Sequence, residues 1–175
     1  KDIIDKVWLI ADIKDEDVQK LPPLFKNERE YEQFKERHNK ATVKRQKLSE
    51  YKGKSYLGID AGSTTTKVVL IGQNGELLHT YYGSNEGDPI QKVVNVLKDL
   101  LKALPKGVTI AKSTVTGYGE HLLKAALHVD IGEIETIAHY KAAEHFLPGV
   151  DFILDIGGQD MKCLRIKNGT IDSIL

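Results

Sequence analysis

The stretch YLGIDAGSTTTKVVLIG, from Tyr56 to Gly72, decides how this chain is read. An apolar run breaks at Asp60, passes through Gly62 and the hydroxyl residues Ser63, Thr64, Thr65 and Thr66, and resumes at Val68. The pattern predicts two buried strands, Tyr56–Asp60 and Thr66–Gly72, joined by a polar turn. A carboxylate at the end of a buried strand is costly unless a charge meets it. Followed by a glycine-containing turn, it becomes a metal-facing oxygen beside backbone N–H groups that suit phosphate oxygens. Ser63, Thr64 and Thr65 add hydroxyls. Lys67 adds a positive charge, directed toward or away from a ligand according to the alternation of its strand. On this reading the apolar strands are core and the turn between them is the site.

The same pattern returns later. GIDAG, Gly58–Gly62, is echoed by LDIGG, Leu154–Gly158: an apolar strand, an aspartate, then a turn with glycine. Either loop alone reads as a good turn residue followed by glycine. Two of them, each after a buried strand, point to a clamp that grips one polyphosphate from opposite sides. Other nucleotide signatures are missing. The sequence has no GxxxxGK[ST] and no GxGxxG. Its TGYG, Thr116–Gly119, reads as a tight strand-to-helix turn whose glycines also permit close approach to a ligand.

Outward from the first hairpin, Gln73-Asn74-Gly75 is a turn and Glu76–Tyr82 a third strand. Asp88-Pro89 opens a helix whose apolar residues Ile90, Val93, Val94, Val96, Leu97, Leu100 and Leu101 keep the helical period. Val108–Thr116 is a fourth strand, Tyr118-Gly119 leads a helix to Leu127, and Thr136–Leu147 is another. Asp151–Asp155 is a buried strand, Met161–Lys167 a further one, Asn168-Gly169 a turn, and Ile171–Leu175 the start of one more. Antiparallel strands followed by alternating helices and strands are not a Rossmann order. Ahead of all this, Leu21-Pro22-Pro23 is a breaker. Residues 28 to 38 form a short amphipathic helix with a capping box from Asn27 to Glu30. We expect residues 1–54 to be a charged, partly helical connector, 55–148 a first lobe and 149–175 the start of a second.

Composition sets the outer limits. The 175 residues are 41% hydrophobic and 29% charged with zero formal net charge, which gives no electrostatic case for a nucleic-acid or membrane partner. Lys44, Arg45 and Lys47 read as a solvated face. The single cysteine, Cys163, excludes a disulfide framework and cannot alone hold zinc or an iron–sulfur cluster; it reads as a small buried thiol. No apolar run approaches the roughly 20 residues of a membrane helix. A reducing cytoplasm is the expected compartment. The sequence begins at Lys1 and ends in Ile174-Leu175, so both ends read as cut from something longer.

DAGSTTTK (60–67), TGYG (116–119), Glu135 with His139, and DIGGQD (155–160) together resemble the activators of 2-hydroxyacyl-CoA dehydratases. Those belong to the BadF/BadG/BcrA/BcrD ATPase family, within the actin, sugar-kinase and heat-shock-chaperone superfamily of ribonuclease-H-like fold. The resemblance covers about residues 55–175, and LFKNEREYEQFKERH looks like the connector of large fused members. It implies an α/β lobe with a mixed sheet, three leading antiparallel strands, and the first strands of a second lobe. It implies a homodimer binding Mg-ATP in each subunit, a bridging [4Fe-4S] cluster, and one low-potential electron passed to a dehydratase or reductase component. Asp60 and Asp155 would hold Mg²⁺ through water. Gly62, Ser63, Thr64, Thr65 and Lys67 would meet phosphates on one side; Gly157, Gly158 and Gln159 would meet them on the other. Gln159 and Asp160 would position water or metal. The chemistry is phosphoryl transfer to water by positioning and charge neutralisation, with Asp60, Glu135 and Asp155 as catalytic residues.

Glu135 and His139 share a helix face. Glu135 reads either as the group that orients the attacking water or as a first-turn acid favoured by the helix dipole. The family's cluster-ligating cysteines match nothing in this chain. By itself the chain is expected to hold no cluster and to bind nucleotide weakly or not at all. Two other readings remain: a sugar kinase of the same superfamily, which needs a base and polar sugar contacts, and a nucleotide-sensing module without turnover.

Overall fold

The computed structural model describes residues 2–11, 21–157 and 160–175. The chain divides into two compact units, Lys1–Thr42 and Val43–Leu175. The first holds helices α1 (Asp2–Ala11) and α2 (Glu28–His38). Asn27 caps α2 by accepting from the Glu30 N–H at 3.1 Å. The reciprocal half of the capping box is replaced: Glu30 Oε2 accepts from the Lys26 N–H at 2.7 Å, one residue earlier. Tyr31, Phe34 and His38 share one side of α2, as their helical spacing predicts, and the Phe25 ring ahead of the helix packs against Tyr31 and Phe34.

The second unit is a mixed α/β body. Its larger sheet has the order β3-β2-β1-β4-β5, built from β1 (Gly53–Ala61), β2 (Thr65–Gly72), β3 (Leu77–Ser84), β4 (Val108–Thr116) and β5 (Ile131–Gly132). β1, β2 and β3 are antiparallel neighbours, and β4 runs parallel to β1. Helices α3 (Pro89–Ala103), α4 (Glu120–Leu127) and α5 (Glu135–Phe146) connect the later strands. A smaller antiparallel sheet, β6-β7-β8, comprises β6 (Phe152–Ile156), β7 (Met161–Lys167) and β8 (Thr170–Ile174). The sequence pattern missed α1 and the short β5. Two residues are too few to show a period.

Strand alternation sorts the larger sheet into two faces. Leu57, Ile59, Ala61, Val68, Leu70 and Val115 are buried against Val93, Val96 and Leu100 of α3 and Leu123 of α4. Each such large side chain contributes about 1.5–3 kcal/mol by leaving water. The opposite face carries Gly58, Asp60, Lys67, Thr114 and Thr116, all half-buried. α3 starts as its sequence indicates, with Pro89 in the first turn and Asp88 Oδ1 accepting from the Gln91 N–H at 2.9 Å.

The expectation of a buried strand at 151–155 needs correction. Only one face of β6 is covered, where Ile153 packs with Tyr140, Leu164 and Ile166; Phe152, Leu154 and Ile156 are exposed. Cys163, expected to be buried, is half-buried in β7, because its strand belongs to that partly covered sheet.

Residues 44–46 run beside β3. The Leu77 N–H donates to the Lys44 carbonyl at 2.8 Å and the Gln46 N–H to the Leu77 carbonyl at 3.2 Å. Glu76 locks this segment to the hairpin: Oε1 accepts from Lys44 Nζ at 2.9 Å and from Asn74 Nδ2 at 3.2 Å, and Oε2 from the Asn74 N–H at 3.1 Å. The Lys44 bond, then the backbone N–H groups, hold the buried Glu76 carboxyl at about 2 instead of its ordinary 4.5. A depressed folded-state pKa stabilises above the unfolded value and is lost as pH falls through the folded one. The urea midpoint should therefore drop as pH falls from about 4.5 toward about 2. Glu76→Gln should lower the neutral-pH midpoint and flatten that drop; an unchanged pH profile would contradict the assignment.

Candidate functional site

Asp60 lies near the carboxyl end of β1, beside Thr116 at the end of parallel β4. Ligands in α/β proteins favour such strand ends. β1 buries Ile59 and Ala61 on its core face, so alternation puts Asp60 on the other face. There its cross-strand neighbour is Lys67, and Lys67 Nζ meets Asp60 Oδ2 at 2.9 Å. Alternation thus directs Lys67 to the carboxylate. The pair is part-exposed, at 38% for Lys67 and 24% for Asp60, so solvent still reaches it. The other oxygen, Oδ1, is buried without a hydrogen-bond partner.

The TGYG turn closes over that oxygen. Gly117 has φ +91°, and a Cβ there would lie 2.7 Å from Asp60 Oδ1 and 2.7 Å from the Ala61 carbonyl oxygen. The Gly119 N–H donates to the same Ala61 carbonyl at 3.1 Å. Glycine is thus required by the close approach of the turn to β1.

The polar turn of the first hairpin is narrow. The Gly62 N–H donates to the Thr65 carbonyl at 3.0 Å. Asn85, buried in the loop after β3, clamps it: Asn85 Nδ2 donates to the Gly62 carbonyl at 2.9 Å, and the Asn85 N–H donates to the Thr64 carbonyl at 3.0 Å. Sequence reasoning missed Asn85, because SNEGDP looks like an ordinary loop. The second hairpin repeats the first. The Gly157 N–H donates to the Asp160 carbonyl at 2.9 Å, and Asp155 faces Lys162 across the strands as Asp60 faces Lys67. Gly158 and Gln159 lie outside the described residues.

The charge pairing differs between the hairpins. Lys162 turns to Asp160 at 2.8 Å, and this bond above all raises its pKa, against a smaller opposing effect of burial. Asp155 Oδ2 instead meets His139 Nδ1 of α5 at 2.6 Å, and His139 Nε2 lies 3.9 Å from Glu135 Oε1. The structure therefore bonds His139 to Asp155 and leaves Glu135 near the other side of the ring without a hydrogen bond to it. It also brings in Glu133, which the sequence pattern did not single out. Glu133 lines a cavity of about 450 Å³ with Asp60, Lys67, Thr116 and Lys141.

Among the described residues no group of three or more His, Cys, Asp or Glu is arranged to hold a metal ion. Mg²⁺ does not require one: it keeps several waters and takes one or two carboxylates plus substrate phosphates. Asp60 and Asp155, each near a strand end beside a glycine-containing turn, are carboxylates that could serve in that mode. A four-thiolate cluster does not fit a chain whose single thiol is Cys163. No helix among the described residues is long and apolar enough to cross a membrane.

The fold is the mixed-sheet, ribonuclease-H-like one of the actin and sugar-kinase superfamily. Residues 57–175 match the BadF/BadG/BcrA/BcrD ATPase family, and the chain belongs to it. It is 30% identical over 118 residues to the (R)-2-hydroxyglutaryl-CoA dehydratase activating ATPase of Acidaminococcus fermentans, covering 66% of this chain and 44% of that protein. An uncharacterized protein of Methanocaldococcus jannaschii is 40% identical over 121 residues, covering 68% and 47%. The activator of 2-hydroxyisocaproyl-CoA dehydratase from Clostridium difficile, solved with bound ADPNP, superposes with a TM-score of 0.55 at 28% identity, covering 69% and 44%. The chain thus spans less than half the length of each of these relatives.

Gly117→Ala and Gly87→Ala separate contact from backbone strain. Both glycines have positive φ, but a Cβ at Gly87 meets nothing within 4 Å. Gly117→Ala should cost about 1–3 kcal/mol more than Gly87→Ala by thermal unfolding, the range for forced overpacking. Equal losses would mean that the turn does not press on Asp60.

Proposed function

We propose that this chain is the nucleotide-binding part of an ATPase that activates a 2-hydroxyacyl-CoA dehydratase, coupling ATP hydrolysis to low-potential electron transfer. The observation that carries the reading is the pair of like hairpins, each with a strand-end aspartate beside a turn closed by a glycine N–H, in a member of this ATPase family. Asp60 and Asp155 hold Mg²⁺ through water. The turn Gly62, Ser63, Thr64 and Thr65 meets phosphate oxygens with backbone and hydroxyl donors, and Gly157, Gly158 and Gln159 meet them from the other side. Lys67 leaves Asp60 for a phosphate oxygen as the nucleotide enters. Glu135 orients the attacking water, and Asp160 helps to place it. Catalysis is then positioning and charge neutralisation, with no covalent intermediate.

The partner is a dehydratase or reductase component, and the complete protein works as a homodimer in the cytoplasm. An electron-carrying [4Fe-4S] cluster needs thiolates beyond Cys163, so it belongs to the complete protein and not to these residues. Residues 1–54 serve as a connector, 55–148 as the first ATPase lobe and 149–175 as the opening of the second.

ATP hydrolysis by the full-length protein tests this reading. Asp60→Asn and Asp155→Asn should each lower kcat by about 10²–10³, the loss typical when one charge-stabilising group is removed, with unchanged circular dichroism. Anaerobic preparations should contain iron and sulfide. ATP consumed only when a sugar is added, with the sugar phosphorylated, would replace the activator reading by a kinase.

A further inference from the structure

The two hairpins match in register but are held differently. In the first, Asp60 is neutralised by its own cross-strand lysine. In the second, the equivalent Lys162 bonds Asp160, and Asp155 is held by His139, a residue of α5. The segment that leads into α5 is fastened to the first hairpin's sheet. Thr116 Oγ1 donates to the Glu133 carbonyl at 2.7 Å, and the Glu133 N–H donates to the Val115 carbonyl at 2.9 Å. Thr116 is the residue beside Asp60 in the β1–β4 register. One continuous path therefore runs from Asp60 through Thr116, Glu133 and the first turns of α5 to His139 and Asp155.

We propose that His139 is a positioning residue that sets the orientation of Asp155 relative to Asp60 through its Nδ1–H. Nothing in the family match or the relatives' names assigns it a role. The inference rests on the function proposed above, since it gives the orientation its purpose. An ionised carboxylate only accepts hydrogen bonds, so a 2.6 Å contact requires the proton on Nδ1. That bond fixes the carboxylate's rotation and occupies Oδ2. Glu135, one turn earlier on the same face, lies 3.9 Å from Nε2, beyond hydrogen-bond distance, so the Asp155 contact alone orients the ring.

The test separates the two ring nitrogens. In the full-length protein, His139→Asn keeps an N–H donor at the δ position, while His139→Gln moves it to the ε position. His139→Gln should lower kcat for ATP by about tenfold to a hundredfold, as loss of an orienting partner does, with KM moving far less; His139→Asn should recover most of the rate. Equal losses in both variants, or no loss in either, would overturn the proposal. Nitrogen-15 NMR of the imidazole supplies a readout independent of turnover. The Nδ1–H form should dominate in the wild type, and its signal should shift in Asp155→Asn. An Nε2–H form unresponsive to Asp155→Asn would overturn the proposal even in an active enzyme. A wild type that hydrolyses no ATP but shows the Nδ1–H signature would sink the functional reading and leave the positioning contact standing.

Discussion

The constraint on which the rest depends is one carboxylate at the end of a buried strand. β1 buries Ile59 and Ala61 on one face, so Asp60 must leave by the other. It emerges where desolvation is partial, and a charge has to meet it. Lys67 does so because the antiparallel register places it directly across. The remaining oxygen faces the TGYG turn, which approaches so closely that only glycine fits at 117. The hairpin turn, the lysine and the strand-to-helix turn are thus consequences of where Asp60 sits. Asn85 completes the arrangement by gripping two carbonyls of the turn.

The second hairpin repeats the first with a changed partner. The geometry of Asp155 against Lys162 copies that of Asp60 against Lys67. The chemistry differs because a helix intervenes. α5 begins at the edge of the larger sheet and ends beside the smaller one, and its His139 takes the place that a lysine takes in the first hairpin. A path of short polar contacts through a rigid helix can carry orientation from one half to the other. Side-chain contacts across loops alone would do so less firmly, since a helix resists bending over a few turns.

The two sheets are unevenly buried. The larger sheet has α3 and α4 packed on its core face. The smaller sheet covers one face only and exposes Phe152, Leu154 and Ile156 on the other. The chain spans less than half the length of the relatives it matches, and its well-packed portion is the part built around Asp60.

Much of this was legible in the sequence, for identifiable reasons. The strand–turn–strand at 56–72, the helix opened by Asp88-Pro89 and the capped helix at 28–38 rest on periodicity and local hydrogen bonding, which a linear sequence displays. The echo between GIDAG and LDIGG marked both aspartates before any geometry was known. What the sequence could not decide was everything set by register and approach. Lys67 pointed either way until β2 was paired with β1. Glu135 and His139 shared a face, but only the docking of α5 on β6 showed that His139 reaches Asp155. Glu133 and Asn85 carried no local signal, because their roles come from contacts with segments far away in the chain. Strand 151–155 looked buried because its residues are apolar, yet burial depends on what packs against each face. Residue type and spacing determined the elements and the candidate acids; tertiary pairing alone determined which charge neutralises which, since that depends on distances between strands and helices that adjacency in sequence does not encode.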